Sequence, residues 1–205
     1  LGWKGTVASD TVAARTEVRE HVVYTLHEAL VRGVAAFDTR VLEGEVDRLR
    51  FRVPPGVEIV DVEGASVLQW RTDGGELVVY NRWLVNDRAD IRVHFQVPVE
   101  AGKPLLLAMP LPLEGPPFAG AIGVQGPAGF SATVVDIAGA TPMRDLPPEL
   151  AALTPNPLLL GFTLEGDPTI TLEVRREAEV SLTTTSIDEM EAATVLIEDG
   201  AQVTR

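Results

Sequence analysis

The three histidines, His21, His27 and His94, are the side chains best suited to hold a metal in a chain of 205 residues that has no cysteine. Without cysteine there is no disulfide, no thiolate nucleophile and no sulfur-ligated metal site. His21 and His27 share one strand parity, and His94 falls on the polar side of another strand pattern. Six residues along a strand cover about 20 Å, so one ion cannot take both His21 and His27, and solvated surface positions account for all three. Acylation chemistry finds no support either. The sequence has no G-x-S-x-G elbow, and Ser66, Ser131, Ser181 and Ser186 stand in strand-like or loop-like stretches with no histidine nearby. The run Gly120-Ala-Ile-Gly-Val-Gln-Gly126 echoes a phosphate loop, but no Lys-Ser/Thr follows and no helix opens after it. Asp188, Glu189 and Glu191, or Glu198 and Asp199, lack the alternating pattern of a calcium loop and read as turns and wet faces. The expectation is therefore no catalytic residue, no metal ligand and no cofactor.

Contact chemistry is better represented. Trp70 shares parity with Leu68 beside a hairpin and reads as core. Trp83, in Tyr80-Asn-Arg-Trp-Leu84, reads as a contact surface together with Tyr80. A second candidate contact is the apolar island in the proline-rich stretch, with Leu105, Leu107, Met109 and Leu111.

The elements that must position these residues are strands. Thr16 to Val31 carries Val18, Val22, Tyr24, Leu26 and Leu30 on one parity and predicts one long strand. Arg48 to Val53 and Arg88 to Val97 alternate cleanly, and Val57 to Val62 follows Pro54-Pro-Gly56. Val67 to Trp70 and Leu77 to Tyr80 flank Asp73-Gly-Gly75, which supplies the positive φ of a hairpin turn. Six prolines between Pro98 and Pro117 predict a linker, or an edge strand crossing between sheets. Beyond it Ala121 to Val124, Ser131 to Ile137, Leu158 to Leu164 and Thr169 to Val180 read as strands. One short helix is predicted over 145–153, capped by Asp145 and ended by Pro155. Thr194 to Ile197 and Gln202 to Arg205 read as a last hairpin around Glu198-Asp-Gly200.

The fold class expected is all-β, with two consecutive sandwich-like subdomains and one short helix. Residues 1–99 would form the first subdomain and 100–180 the second, with the proline-rich crossing at 98–117. Residues 181–205 would open a following β module or form an edge hairpin. A chain of 22.0 kDa can bury roughly 70% of its unfolded surface, enough for a core without staples. Its formal charge of −13 comes from 30 acids against 17 bases, a field that repels nucleic acid and anionic lipid. No apolar run is long enough to span a bilayer. The chain starts at Leu1 and stops at Arg205 inside a strand pattern, which reads as a piece of a longer protein.

The order Leu146-Pro-Pro-Glu-Leu150, Pro157-Leu-Leu-Leu-Gly-Phe162, Asp167-Pro-Thr-Ile-Thr-Leu-Glu-Val-Arg-Arg176, Thr185-Ser-Ile-Asp188 and Glu198-Asp-Gly-Ala-Gln-Val-Thr-Arg205 resembles a recurring β module of large bacterial extracytoplasmic or membrane-anchored multi-domain proteins. The likeness covers residues 140–205 well and the first hundred only in style. It departs at Asp167-Pro168, where the module often carries His-Pro. The resemblance implies architecture and compartment and transfers no catalytic residue. The functional expectation is a non-enzymatic structural or interaction module outside the cytoplasm, periplasmic or at the cell surface. It would meet a protein partner or neighbouring domains and reach a membrane only through sequence or partners outside this chain. The alternatives are an accessory subunit docked on the periplasmic face of a membrane complex, and a carbohydrate-binding or carbohydrate-active module.

Overall fold

The architecture comes from a computed structural model, which describes residues 14–100, 102–114 and 119–176 and the backbone pairing of 195–196 with 202–203. The strands in chain order are β1 (Arg15–Leu26), β2 (Leu30–Glu43), β3 (Val46–Arg52), β4 (Glu58–Glu63), β5 (Val67–Asp73), β6 (Glu76–Val85), β7 (Arg88–Pro98), β8 (Leu105–Leu106), β9 (Leu111–Pro112), β10 (Ala119–Gln125) and β11 (Phe130–Pro142). A single turn of helix, α1 (Pro148–Ala151), precedes β12 (Leu160–Arg176), and β13 (Val195–Leu196) pairs with β14 (Gln202–Val203). The chain is all-β, as its period-two patterning predicts. The other residues of the expected terminal module, 181–194 among them, lie outside the described residues.

Eight strands form one sheet in the order β11-β12-β10-β1-β2-β7-β4, with β8 beside β12, and four form a second in the order β5-β6-β3-β9. Their inner faces close on one core. Phe37 of the large sheet meets Phe51 of the small one with ring centroids 4.6 Å apart. The stretch expected to be one strand from Thr16 to Val31 is a hairpin: the chain turns at His27-Glu-Ala29, and the His27 amide donates to the Leu30 carbonyl at 3.1 Å. In β2 the residues Val31, Gly33, Ala35, Phe37, Thr39 and Val41 all face inward and are buried. The Asp73-Gly-Gly-Glu76 hairpin forms as expected, with Gly74 and Gly75 at φ 58° and 84°, the left-handed pair that a two-residue turn requires.

The proline-rich stretch does cross between sheets. β8 pairs with β12 in the large sheet, and β9 pairs with β3 in the small one. It does not part the chain into separate sheets, however. After it, β10 docks parallel to β1, with Arg19 opposite Ala119 through Thr25 opposite Gln125, and β12 pairs antiparallel with β10. Strands from the expected first and second subdomains thus share one sheet and one core. The expected apolar contact is also corrected here. Leu105, Leu107, Met109 and Leu111 are buried in that core, while Leu106 and Leu113 face solvent. Period-two alternation inside an unbroken apolar run had hidden which half turns inward.

The helix is shorter than predicted. Pro148 forces Pro147 into an extended conformation, φ −67° and ψ 148°, so no helical turn can begin before it. Asp145 is exposed and makes no cap; the N-cap residue is Pro147, which has no side-chain hydrogen bond. Leu150 anchors the turn on the outer face of the large sheet against Val23 and Ala121. The Thr154 hydroxyl, donating to Gln125 Oε1 at 2.5 Å, ties down the loop that follows. The strands expected at Leu158 to Leu164 and Thr169 onward are one, β12, which runs through Gly166 and Pro168 as its inner partner changes from β10 to β8.

A cross-strand row through Tyr24, Gly33 and Phe95 sits at the centre of the large sheet. The Phe95 ring lies over Gly33, where an added Cβ would fall 2.1 Å from Phe95 Cζ. Tyr24 meets Phe95 edge-on at 5.7 Å and 86°, and its hydroxyl donates to the Ala108 carbonyl at 3.2 Å. Gly33→Ala should therefore displace the ring and cost about 1–3 kcal/mol, as overpacking does, read as a lower urea midpoint at unchanged m-value.

Two strand turns away on the same inner face, Glu20 is fully buried. Neither of its carboxylate oxygens has a hydrogen-bond partner among the described residues, and the same is true of the Thr39 hydroxyl. Burial pushes the Glu20 carboxyl well above the usual carboxylate range. A raised folded-state value means the native chain holds this proton more tightly than the unfolded chain does. Its stability is then complete below the unfolded pKa of about 4.3 and declines as pH climbs from there toward the folded value. Urea unfolding at a series of pH values should show that decline in the native sequence and a flatter profile in Glu20→Gln. Glu20→Leu should gain about 1–3 kcal/mol at neutral pH by removing an unsatisfied polar group.

Candidate functional site

Two surfaces carry side chains that the core does not use. The first is built on the small sheet by paired irregularities. Val46 stands opposite Val85 and Arg48 opposite Tyr80, so Asn81 to Leu84 bulge against the single residue Asp47. Asn81 turns in, its amide donating to the Val46 carbonyl at 3.2 Å. Arg82 folds back, its backbone N–H donating to the Ser66 carbonyl and its Nε to the Val67 carbonyl, each at 2.7 Å. Trp83 and Leu84 are left in solvent, 55% and 57% exposed. The neighbouring strand β5 shifts register between Val67 and Gln69, which puts Leu68 out at 59% exposure. Bulges re-aim side chains in this way. Tyr80 is half-buried, with the Arg71 guanidinium 5.8 Å from its ring centroid. Trp70, read as core, is partly buried against the main cluster.

The second surface is the outer face of the large sheet. A depression of about 430 Å³ has His21, Ala36 and Asp38 on its floor, Glu149 and Leu153 on one wall, and Glu63 on the other. The short Ala36 side chain, in register between His21 and Arg92, makes the dip. Asp38 and Asp90 face each other across the β2–β7 ladder, and Arg88 Nε lies 2.9 Å from a carboxylate oxygen of each. One guanidinium thus offsets the repulsion of two carboxylates directly opposite one another. Burial pulls the His21 imidazole below its usual value, with Glu149 and Asp38 acting in the opposite direction and Arg19 reinforcing the fall.

The structure keeps the three histidines apart. His21 is on β1, His94 is on β7 with β2 between them, and His27 is in the turn between β1 and β2. His94 Nε2 sits 3.5 Å from Glu63 Oε1, but without the alignment of a hydrogen bond. Among the described residues no three histidine or carboxylate groups converge on one point. The glycine-rich run at Gly120 is strand β10. Gly120 has no side chain because a Cβ there would lie 1.7 Å from the Glu20 carbonyl oxygen of β1. Ser66 is buried in the tight turn before β5 and Ser131 lies on β11. Ser181, Ser186 and the acids from Asp188 to Asp199 lie outside the described residues. The missed surface was partly legible: Arg19, Asp38, Arg88, Asp90 and Arg92 all have outward strand parity, but only the pairing order brings them together.

No family model matches the sequence, and no curated protein matches it. Among solved structures, the chain aligns with an M1 zinc metallopeptidase from Deinococcus radiodurans at 12% identity, over 77% of this chain and 42% of that one, with a TM-score of 0.47. It also aligns with a mutant of a two-domain M1 zinc metallopeptidase bound to L-tryptophan, at 15% identity, over 78% of this chain and 42% of that one, with a TM-score of 0.48. The chain spans less than half the length of these metallopeptidase chains.

Proposed function

We propose that this chain is a non-enzymatic interaction module of a larger bacterial extracytoplasmic protein, and that it meets a neighbouring domain of the same polypeptide through the bulged end of its small sheet. The observation that carries this reading is the exposure of Leu68, Trp83 and Leu84, each more than half open to solvent on adjacent strands. Chance exposure of single apolar residues is ordinary, whereas grouped exposure marks a contact. Arg82, between Asn81 and Trp83 in the bulge, is held by hydrogen bonds to the Ser66 and Val67 carbonyls. Tryptophan is among the side chains most enriched at the energetic centres of interfaces. Placement outside the cytoplasm rests on the likeness of residues 140–205 to extracytoplasmic modules.

Fluorotryptophan labelling tests the contact. The Trp83 resonance, assigned by its disappearance in Trp83→Phe, should show a clear solvent isotope shift in this chain alone and lose most of it in the full-length protein. Equal exposure in both would overturn the proposal. The replacement Trp83→Ser with Leu84→Ser should change the stability of the isolated chain by no more than about 0.5 kcal/mol, as surface changes do.

A further inference from the structure

Asp73 and Gly74 form an open corner of the small sheet. Asp73 is the last residue of β5, which is an edge strand paired with β6 alone. Gly74 and Gly75 turn the chain at φ 58° and 84°, and a Cβ placed on Gly74 would meet nothing within 4 Å. All three residues are exposed. Among the described residues the Asp73 carboxylate has neither an ion pair nor a hydrogen bond, and the Gly74 amide has no acceptor. A free carboxyl therefore stands beside a free amide that no side chain shields.

The other described aspartates are engaged or shielded. Asp61 Oδ1 accepts from the Val62 amide at 2.8 Å and Asp136 Oδ1 from the Ile137 amide at 3.0 Å, so in both cases the following N–H is already bound. Asp38 and Asp90 share Arg88, and Asp47 lies 3.7 Å from Arg48. Asp167 pairs with Arg52 and precedes Pro168, which has no N–H. Asp87 and Asp145 precede Arg88 and Leu146, whose side chains crowd the amide as glycine does not. Among the described residues Asp73 alone precedes glycine.

We infer that Asp73 isomerises spontaneously to isoaspartate, at a rate set by fraying of the end of the β5–β6 hairpin. The Gly74 nitrogen attacks Cγ of the protonated Asp73 carboxyl. A C–N bond forms, a C–O bond breaks, and the leaving oxygen departs as water with the carboxyl proton and the amide proton. Water then opens the cyclic imide. Addition at Cγ restores aspartate, whereas addition at the main-chain carbonyl leaves the peptide running through the side chain, with no net change in mass and no oxidant or cofactor. Ring closure requires Asp73 to leave the extended conformation of a strand, and exposed hairpin ends open more readily than core strands do. Two contacts hold this end closed: the Val53 amide donates to the Gly75 carbonyl at 2.7 Å, and Arg50 Nε lies 2.6 Å from Glu76 Oε1. The reaction is independent of the contact proposed at Trp83. Incubation at physiological temperature followed by peptide mapping with electron-transfer fragmentation tests it. Isoaspartate at residue 73 should build with time to about tenfold or more above its level at exposed Asp145, a barrier difference of about 1.4 kcal/mol. Arg50→Gln and Glu76→Gln, each of which removes the pair beside the turn, should both speed its appearance. Asp73→Glu, whose ring would need one more atom, should show no isomer at that position. A level at Asp73 no higher than at Asp145, or rates in both pair-breaking variants no faster than in the native chain, would overturn the inference.

Discussion

The bare backbone at Gly33 is the constraint on which the rest of the structure depends. Because that position has no side chain, the Phe95 ring can lie across β2 and meet Tyr24 from the other side. Three neighbouring strands are thereby locked by side chains as well as by their ladder. Tyr24 extends the lock, since its hydroxyl reaches the Ala108 carbonyl in the crossing segment between the sheets. A residue with an apolar body and one polar tip suits a place where the core must also satisfy a backbone carbonyl that no strand pairs.

From that centre the sandwich closes by an indirect route. A parallel pair such as β1 and β10 cannot be joined by a short turn, and here everything between Leu26 and Ala119 serves as the connection. The chain first builds the β1–β2 hairpin, then passes between the sheets through β3, β4, β5 and β6 and returns along β7. It then crosses the open side through a proline-rich stretch whose two short strands pair with one sheet each. Proline limits how many ladder bonds that stretch can make, so its hold comes from the burial of Leu105, Leu107, Met109 and Leu111. The residues expected to contact a partner instead fasten the two sheets to each other.

The outside of the molecule divides into surfaces of different chemistry. Bulges on β5 and β6 lift apolar side chains out of the small sheet, where regular pairing would have kept strict alternation. The large sheet keeps regular pairing across β1, β2 and β7, so its outward residues line up in rows that set Glu17 beside Arg40 and Arg19 beside Asp38. Irregularity thus makes the apolar contact and regularity makes the polar face. Glu20 stands apart from both: on the inward face of β1 it is the one carboxyl among the described buried residues.

Local chemistry alone determined the strand character of the chain, the Gly74-Gly75 turn and the crossing role of the prolines. Each follows from alternation, backbone permissiveness or a missing N–H, properties carried by a few adjacent residues. The turn at His27-Glu-Ala29 was not legible, because it contains neither glycine nor proline and the apolar parity runs straight through it. The reach of the helix was hidden by Pro147-Pro148, where the first proline must stay extended. Above all, pairing order was decided only by the tertiary structure. Which residues of a strand face inward is a local matter. Whether β1 finds β2, β10 or both is settled by how the two inner faces pack around Gly33, Phe95 and Tyr24, and the charged outer face exists only once that packing has set β1, β2 and β7 side by side.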